Sequence, residues 1–127
     1  MNKAEAGNEF DLFGASSPTW GEINYYAFNV VSVEFHNELY GFVQARAVAE
    51  DEKYYYENDF EDYLVSKAIG QTKDYVRLKK DGTTESQKRT LPTYIRNIIH
   101  HPENTNNVKY TEAELKTSIE SLVPLLK

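Results

Sequence analysis

The sequence predicts an all-α fold, a small bundle of about four to five helices built as one domain. Three observations lead there. The chain has 127 residues, of which 40% are apolar and 13% aromatic, enough for one buried core and without room for a cofactor domain plus a substrate domain. Apolar residues recur at spacings of three and four over long stretches, as the buried stripe of a helix does. Strand-type alternation of comparable strength is absent, and so is any repeat of fixed period.

Residues 1–17 mix Gly, Ser, Asn and Glu without sustained periodicity and read as a mobile N-terminal arm, with Phe10, Leu12 and Phe13 as its docking points. Residues 18–127 are the helical domain. After Ser17-Pro18, Phe28, Val31, Phe35, Leu39 and Phe42 make one apolar stripe that predicts the longest helix over 19–49. A strand reading of 28–35 (FNVVSVEF) competes, but the stripe continues past ordinary strand length. A second helix is expected over 58–73, with Phe60, Leu64 and Ala68 on one side and Gly70 weakening its end. Asp81-Gly82 signals a turn, and 74–80 (DYVRLKK) fits either the end of that helix or the first arm of a short hairpin. Pro92 suits a first helical turn, where its missing N–H would be unpaired anyway; Leu91, Ile95, Ile98 and Ile99 follow at core spacing until Pro102, giving a helix over 91–101. Thr111 and Glu114 form a capping box that opens a terminal helix over 112–126, with Leu115, Ile119, Leu122, Val123 and Leu126 on its buried face and Pro124 kinking or ending it.

Cysteine is absent, which excludes disulfides, thiolate zinc, thiol nucleophiles and iron–sulfur clusters and fits a reducing cytoplasm. No run approaches the roughly eighteen apolar residues of a membrane span, and the polar N-terminus is unlike a signal peptide, so a soluble cytoplasmic protein with no membrane partner is expected. The net charge of −6 argues against a protein that coats nucleic acid non-specifically, yet it hides an asymmetry. Residues 1–66 balance at −10, with acidic groups densest in 49–63, whereas residues 67–96 balance at +5. Lys79, Lys80, Lys88 and Arg89 in that basic segment are the candidates for holding RNA phosphates.

The segment 90–104 (TLPTYIRNIIHHPEN) carries the chemistry. At about 100° per residue, Leu91, Ile98 and Ile99 fall within about 60° of Ile95, whereas Arg96, Asn97, His100 and His101 all point away from that face. Arg96 and His100 are spaced i, i+4, as are Asn97 and His101. Such groups suit a phosphodiester: a guanidinium can hold its oxygens in a fork, an imidazole can move a proton near neutral pH, and an amide can orient either. Both histidines fall at the helix C-terminus, where the macrodipole favours imidazolium, so raised pKa values are expected.

The Arg96-Asn97-(three residues)-His101 spacing resembles the Arg-polar-X3-His signature of HEPN domains, the higher-eukaryote and prokaryote nucleotide-binding superfamily of small helical bundles. The run IRNIIHHPEN, a short loop and a final helix also resemble the tail of helical domains in bacterial anti-phage and abortive-infection systems, which implies a role in phage defence or a toxin–antitoxin type system. The resemblance implies a metal-independent endoribonuclease that works as a homodimer, with no cofactor and a regulatory or antitoxin protein as possible partner. It implies that Arg96 stabilises charge on the phosphate, that His101 is general base or acid, and that Asn97 positions them. It further implies 2′,3′-cyclic phosphate and 5′-hydroxyl products; His100 lies outside the signature and is an accessory candidate.

The rival reading is a non-catalytic accessory or immunity protein, which binds a nucleotide or docks a protein partner through the acidic, tyrosine-rich 49–63 segment. A metal site built from His100, His101 and Glu103 is disfavoured, because adjacent helical residues diverge by about 100°. His36, beside the apolar stripe, is read as a boundary histidine, and the ten tyrosines as core or interface groups before base-stacking ones.

Overall fold

The computed structural model describes residues 11–127, so Phe10 and most of the expected arm lie outside the described residues. The described chain contains five α-helices and one hairpin: α1 (Trp20–Phe28), α2 (Val33–Glu50), α3 (Glu57–Ser66), β1 (Lys73–Leu78), β2 (Thr84–Arg89), α4 (Leu91–His100) and α5 (Glu112–Leu122). Short 3-10 turns cover Gly14–Ser16, Glu52–Tyr55 and Val123–Leu126. The protein is thus mostly helical without being purely all-α. The arm of 74–80 that the sequence left open between helix and hairpin is β1.

α2 is the axis of the core. Its Phe35, Leu39, Val43 and Ala47 are fully buried and meet Phe60 and Leu64 of α3, Ile95 of α4, and Ile119 and Leu122 of α5. These residues recur at the three- and four-residue spacing of one helical face, which is why burying them fixes the helices around α2.

The single helix expected over 19–49 is two. Asn29 takes a left-handed conformation (φ 54°), and its N–H reaches the Tyr25 carbonyl at 3.1 Å, which ends α1. Ser32 then caps α2, its hydroxyl accepting from the Phe35 N–H at 3.1 Å. The break leaves Phe28, assigned by its spacing to the core stripe, 68% exposed. α1 and α2 cross closely at Gly21, where a Cβ would come within 2.8 Å of the Phe35 Cβ. The buried Glu22 organises what precedes α1: its carboxylate accepts from the backbone N–H of Leu12 and Thr19 and from the Ser17 hydroxyl. Leu12 and Phe13 are thereby held in the core.

α3 stops at Ser66, short of the expected 73, because Ala68 adopts φ 68° and Gly70 follows. The hairpin pairs Lys73 with Arg89 and Leu78 with Thr84, and Asp81 closes its turn by accepting from the Thr83 N–H and hydroxyl. At the other end of the chain, Pro124 ends the α-helical hydrogen bonding, and the chain finishes as the 3-10 turn Val123–Leu126. His36 is not a boundary residue: it is fully buried, with Nε2 2.7 Å from the Ser118 hydroxyl of α5.

Candidate functional site

α4 is anchored at its start by a buried carboxylate. Thr90 is the N-cap, and Glu61 of α3 accepts from the Thr90 N–H (2.8 Å), the Thr90 hydroxyl (2.7 Å) and the Thr93 hydroxyl (3.2 Å). Since Thr93 gives its proton to Glu61, the Tyr40 hydroxyl, 2.8 Å away, donates to Thr93. Burial raises the Glu61 pKa despite these donors, and burial pushes the Tyr40 phenol up to about 12. Arg89 closes the same junction: Nε donates to Glu57 at 2.8 Å and a terminal nitrogen donates to Asn58 at 2.8 Å. Its guanidinium is buried and spent on α3, which removes Arg89 from the RNA-facing surface expected from sequence. Lys88 remains exposed and pairs across the hairpin with Asp74.

The motif residues of α4 do not share one open surface. Asn97 is buried, and its amide reaches Glu57 at 3.5 Å. Arg96 leans the other way, its guanidinium 4.6 Å from the centre of the Tyr40 ring, a cation–π shelf. Among the described residues Arg96 has no hydrogen-bond or ion-pair partner, so its donors are uncommitted. His100 lies on the Arg96 side; partial burial, Arg96 and His101 lower its pKa, opposite to the rise expected from the helix dipole. Loss of hydration is the largest cause, and the Arg96 guanidinium one turn away adds to it.

Asn97 and His101 do converge, and on a cleft of about 470 Å³ between the C-terminal end of α4 and the hairpin. His101 caps α4, its N–H donating to the Asn97 carbonyl, and its Nδ1 lies 3.2 Å from Glu103. That pairing leaves Nε2 without a hydrogen-bond partner among the described residues. Across the cleft stand Arg77, Lys79 and Lys80. Tyr75 and Arg77 alternate along β1, so strand geometry turns both to one face, with Gln87 of β2 opposite Tyr75 in register, and Lys79 follows just past the end of the strand. Lys79 is paired with Glu85 at 3.3 Å, whereas Arg77 and Lys80 have no ion-pair partner among the described residues.

Two asparagines keep the walls of the cleft together. Val76 sits at the outer edge of β1, and its N–H donates to the Asn107 side-chain oxygen at 2.8 Å. Its carbonyl accepts from the amides of Asn104 (2.8 Å) and Asn107 (2.9 Å). The loop after His101 therefore pairs with β1 as a neighbouring strand would, and it blocks that edge. The Tyr94 hydroxyl, donating to the Val108 carbonyl at 2.6 Å, fixes the far end of the loop to α4.

Sequence reasoning named His101, Asn97, Lys79 and Lys80 in this cleft and missed Arg77, Gln87 and the pinning asparagines. The missing signal was the hairpin itself: once Asp81-Gly82 is taken as its turn, period two aligns Arg77 with Tyr75. Among the described residues no group of three His, Asp or Glu is placed to hold a metal. What the arrangement can do chemically is bind an anion on Arg77, Lys79 and Lys80 beside an imidazole oriented by a carboxylate. No protein-family model, curated protein or solved structure matches the chain.

Proposed function

We propose that the protein is a metal-independent endoribonuclease of HEPN-like type, acting in phage defence or a toxin–antitoxin system, with the cleft between α4 and the hairpin as its RNA site. One observation carries the reading: an imidazole backed by a carboxylate faces three cationic side chains across a cleft of ligand size. Arg77, Lys79 and Lys80 hold the phosphate and its neighbours along the strand. His101 Nε2 removes the proton of the ribose 2′-hydroxyl, and Glu103 on Nδ1 stabilises the imidazolium that forms. The 2′-oxygen attacks phosphorus, the bond to the 5′-oxygen breaks, and the imidazolium gives its proton to that leaving oxygen. The products are a 2′,3′-cyclic phosphate and a 5′-hydroxyl, and no redox partner or cofactor enters the balance.

Arg96 stands outside the cleft of its own chain. In the proposed homodimer its uncommitted guanidinium serves the cleft of the second chain, where it stabilises the charge that gathers on the phosphorane oxygens. Incubation of the purified protein with total RNA in EDTA tests the proposal. Fragments ending in cyclic phosphate are expected, with cleavage lost in His101→Ala and strongly reduced in Arg96→Ala; intact RNA contradicts it.

A further inference from the structure

Three consecutive tyrosines follow α2, and the fold treats them differently. Tyr54 turns inward, its ring centre 5.1 Å from that of Tyr63, and the Lys53 ammonium sits 5.2 Å from the Tyr54 ring. Tyr55 and Tyr56 turn outward and remain 71% and 65% exposed. Their rings lie 5.4 Å apart at 89°, so together they form a right-angled aromatic corner. That corner borders a cavity of about 640 Å³ whose other walls are Val48, Asp51, Glu52 and Lys53.

The backbone under the corner is fixed before any ligand arrives. The Gln44 amide donates to the carbonyls of Tyr54 and Tyr55, both at 3.1 Å, and Asp51 accepts from the Lys53 N–H. The Tyr56 carbonyl accepts from the Phe60 N–H as α3 begins. Little conformational entropy is left to lose on binding. Ring faces carry negative potential and attract cations, and a planar guanidinium also stacks on them. Lys53, the nearby cation of the chain itself, is drawn to Tyr54 and leaves the other two rings uncovered.

We propose that the Tyr55–Tyr56 corner docks an arginine side chain from a basic segment of a partner protein, with Asp51 and Glu52 as its counter-charges. Charge complementarity identifies the occupant: the exposed Glu50, Asp51 and Glu52 beside the corner outnumber its one cation, Lys53, so this face attracts a basic polypeptide and repels the polyanion proposed for the cleft. The two surfaces accordingly take ligands of opposite sign, and either proposal can fail without the other.

The test is a fluorescence-anisotropy titration of the full chain against a labelled hexa-arginine peptide at physiological salt. Wild type should bind, Tyr55→Ala and Tyr56→Ala should each weaken binding about fivefold or more, and Tyr55→Phe should bind as wild type does. Asp62→Asn, which neutralises an exposed carboxylate outside the cavity, should change affinity by less than about twofold. Absence of wild-type binding overturns the proposal. So do alanine variants that bind unchanged, or an Asp62→Asn loss equal to theirs, since general attraction to an acidic surface would then explain the result.

Discussion

Arg96 and His101 face different ways because five helical positions rotate by about 140°, and the neighbours on each side finish the separation. Tyr40 draws the guanidinium toward α2, while Glu103 and the helix cap hold the imidazole at the hairpin. Asn97 turns toward α3, where Glu57, already paired with Arg89, offers its amide a half-buried acceptor. Glu61 matters most for stability among the polar residues of this region, since three donors from Thr90 and Thr93 converge on it out of water. Glu61→Gln should cost about 1–3 kcal/mol in urea unfolding, because an amide nitrogen cannot accept from the threonine hydroxyls. A loss below about 0.5 kcal/mol would show that the junction of α3 and α4 does not depend on this carboxylate. Lys80→Ala, at an uncommitted cleft cation, should lower the salt dependence of RNA binding by about one unit of slope, and an unchanged slope would place the RNA elsewhere.

At the scale of elements, the hairpin is the feature that turns α4 into one wall of a cleft, and a two-stranded ribbon has little stability alone. Its attachment rests on Asn104 and Asn107 at Val76, on the edge-to-face contact of Tyr75 with Tyr94, and on the Lys73–Glu114 ion pair. Asn107→Ala removes two of the hydrogen bonds to Val76. Amide exchange over Lys73–Leu78 should then quicken about tenfold while the core helices keep their protection; unchanged exchange would mean that Asn104 and the base of the hairpin suffice. The crossing of α1 over α2 makes an equally local prediction. Gly21→Ala should destabilise by about 1–3 kcal/mol, because the added methyl meets the Phe35 Cβ at 2.8 Å. These elements were unequally legible in the sequence. α4 and α5 were readable because their caps, Thr90-Leu91-Pro92 and the Thr111–Glu114 box, and their apolar spacing agree. The break between α1 and α2 was hidden because Phe28 and Val31 continue the stripe through a turn that depends only on Asn29 and Ser32. The hairpin was obscured because β2 (TESQKR) has no apolar face, so its partner is set by the turn and by side chains from a distant loop. Arg89 had the composition of an RNA ligand, and only the position of α3 shows that it is consumed inside.

The whole molecule is expected to lose stability in mild acid through His36. Burial and Arg96 lower its pKa to about 4 from an ordinary 6.5, and its Nδ1 has no hydrogen-bond partner among the described residues. The unfolded chain takes up this proton near pH 6.5 and the folded chain resists it until about pH 4. Stability from this group is therefore complete above pH 6.5 and falls by about 3 kcal/mol as pH drops through that window. Glu61 works in the opposite sense, since its raised pKa lets the folded state take up a proton first. His36→Gln isolates the two: its stability should decline less than that of wild type between pH 6.5 and 4, and parallel curves would refute the buried neutral imidazole. The RNA proposal rests on the cleft that Arg77, Lys79 and Lys80 line, and there a single measurement decides it. An oligonucleotide with one ribose in an otherwise deoxyribose strand, incubated with the protein in EDTA, should be cut only at that ribose, leaving a 2′,3′-cyclic phosphate. His101→Gln should abolish the cut while leaving the fold intact. Cleavage at deoxyribose positions, or a His101→Gln rate equal to that of wild type, would contradict the account.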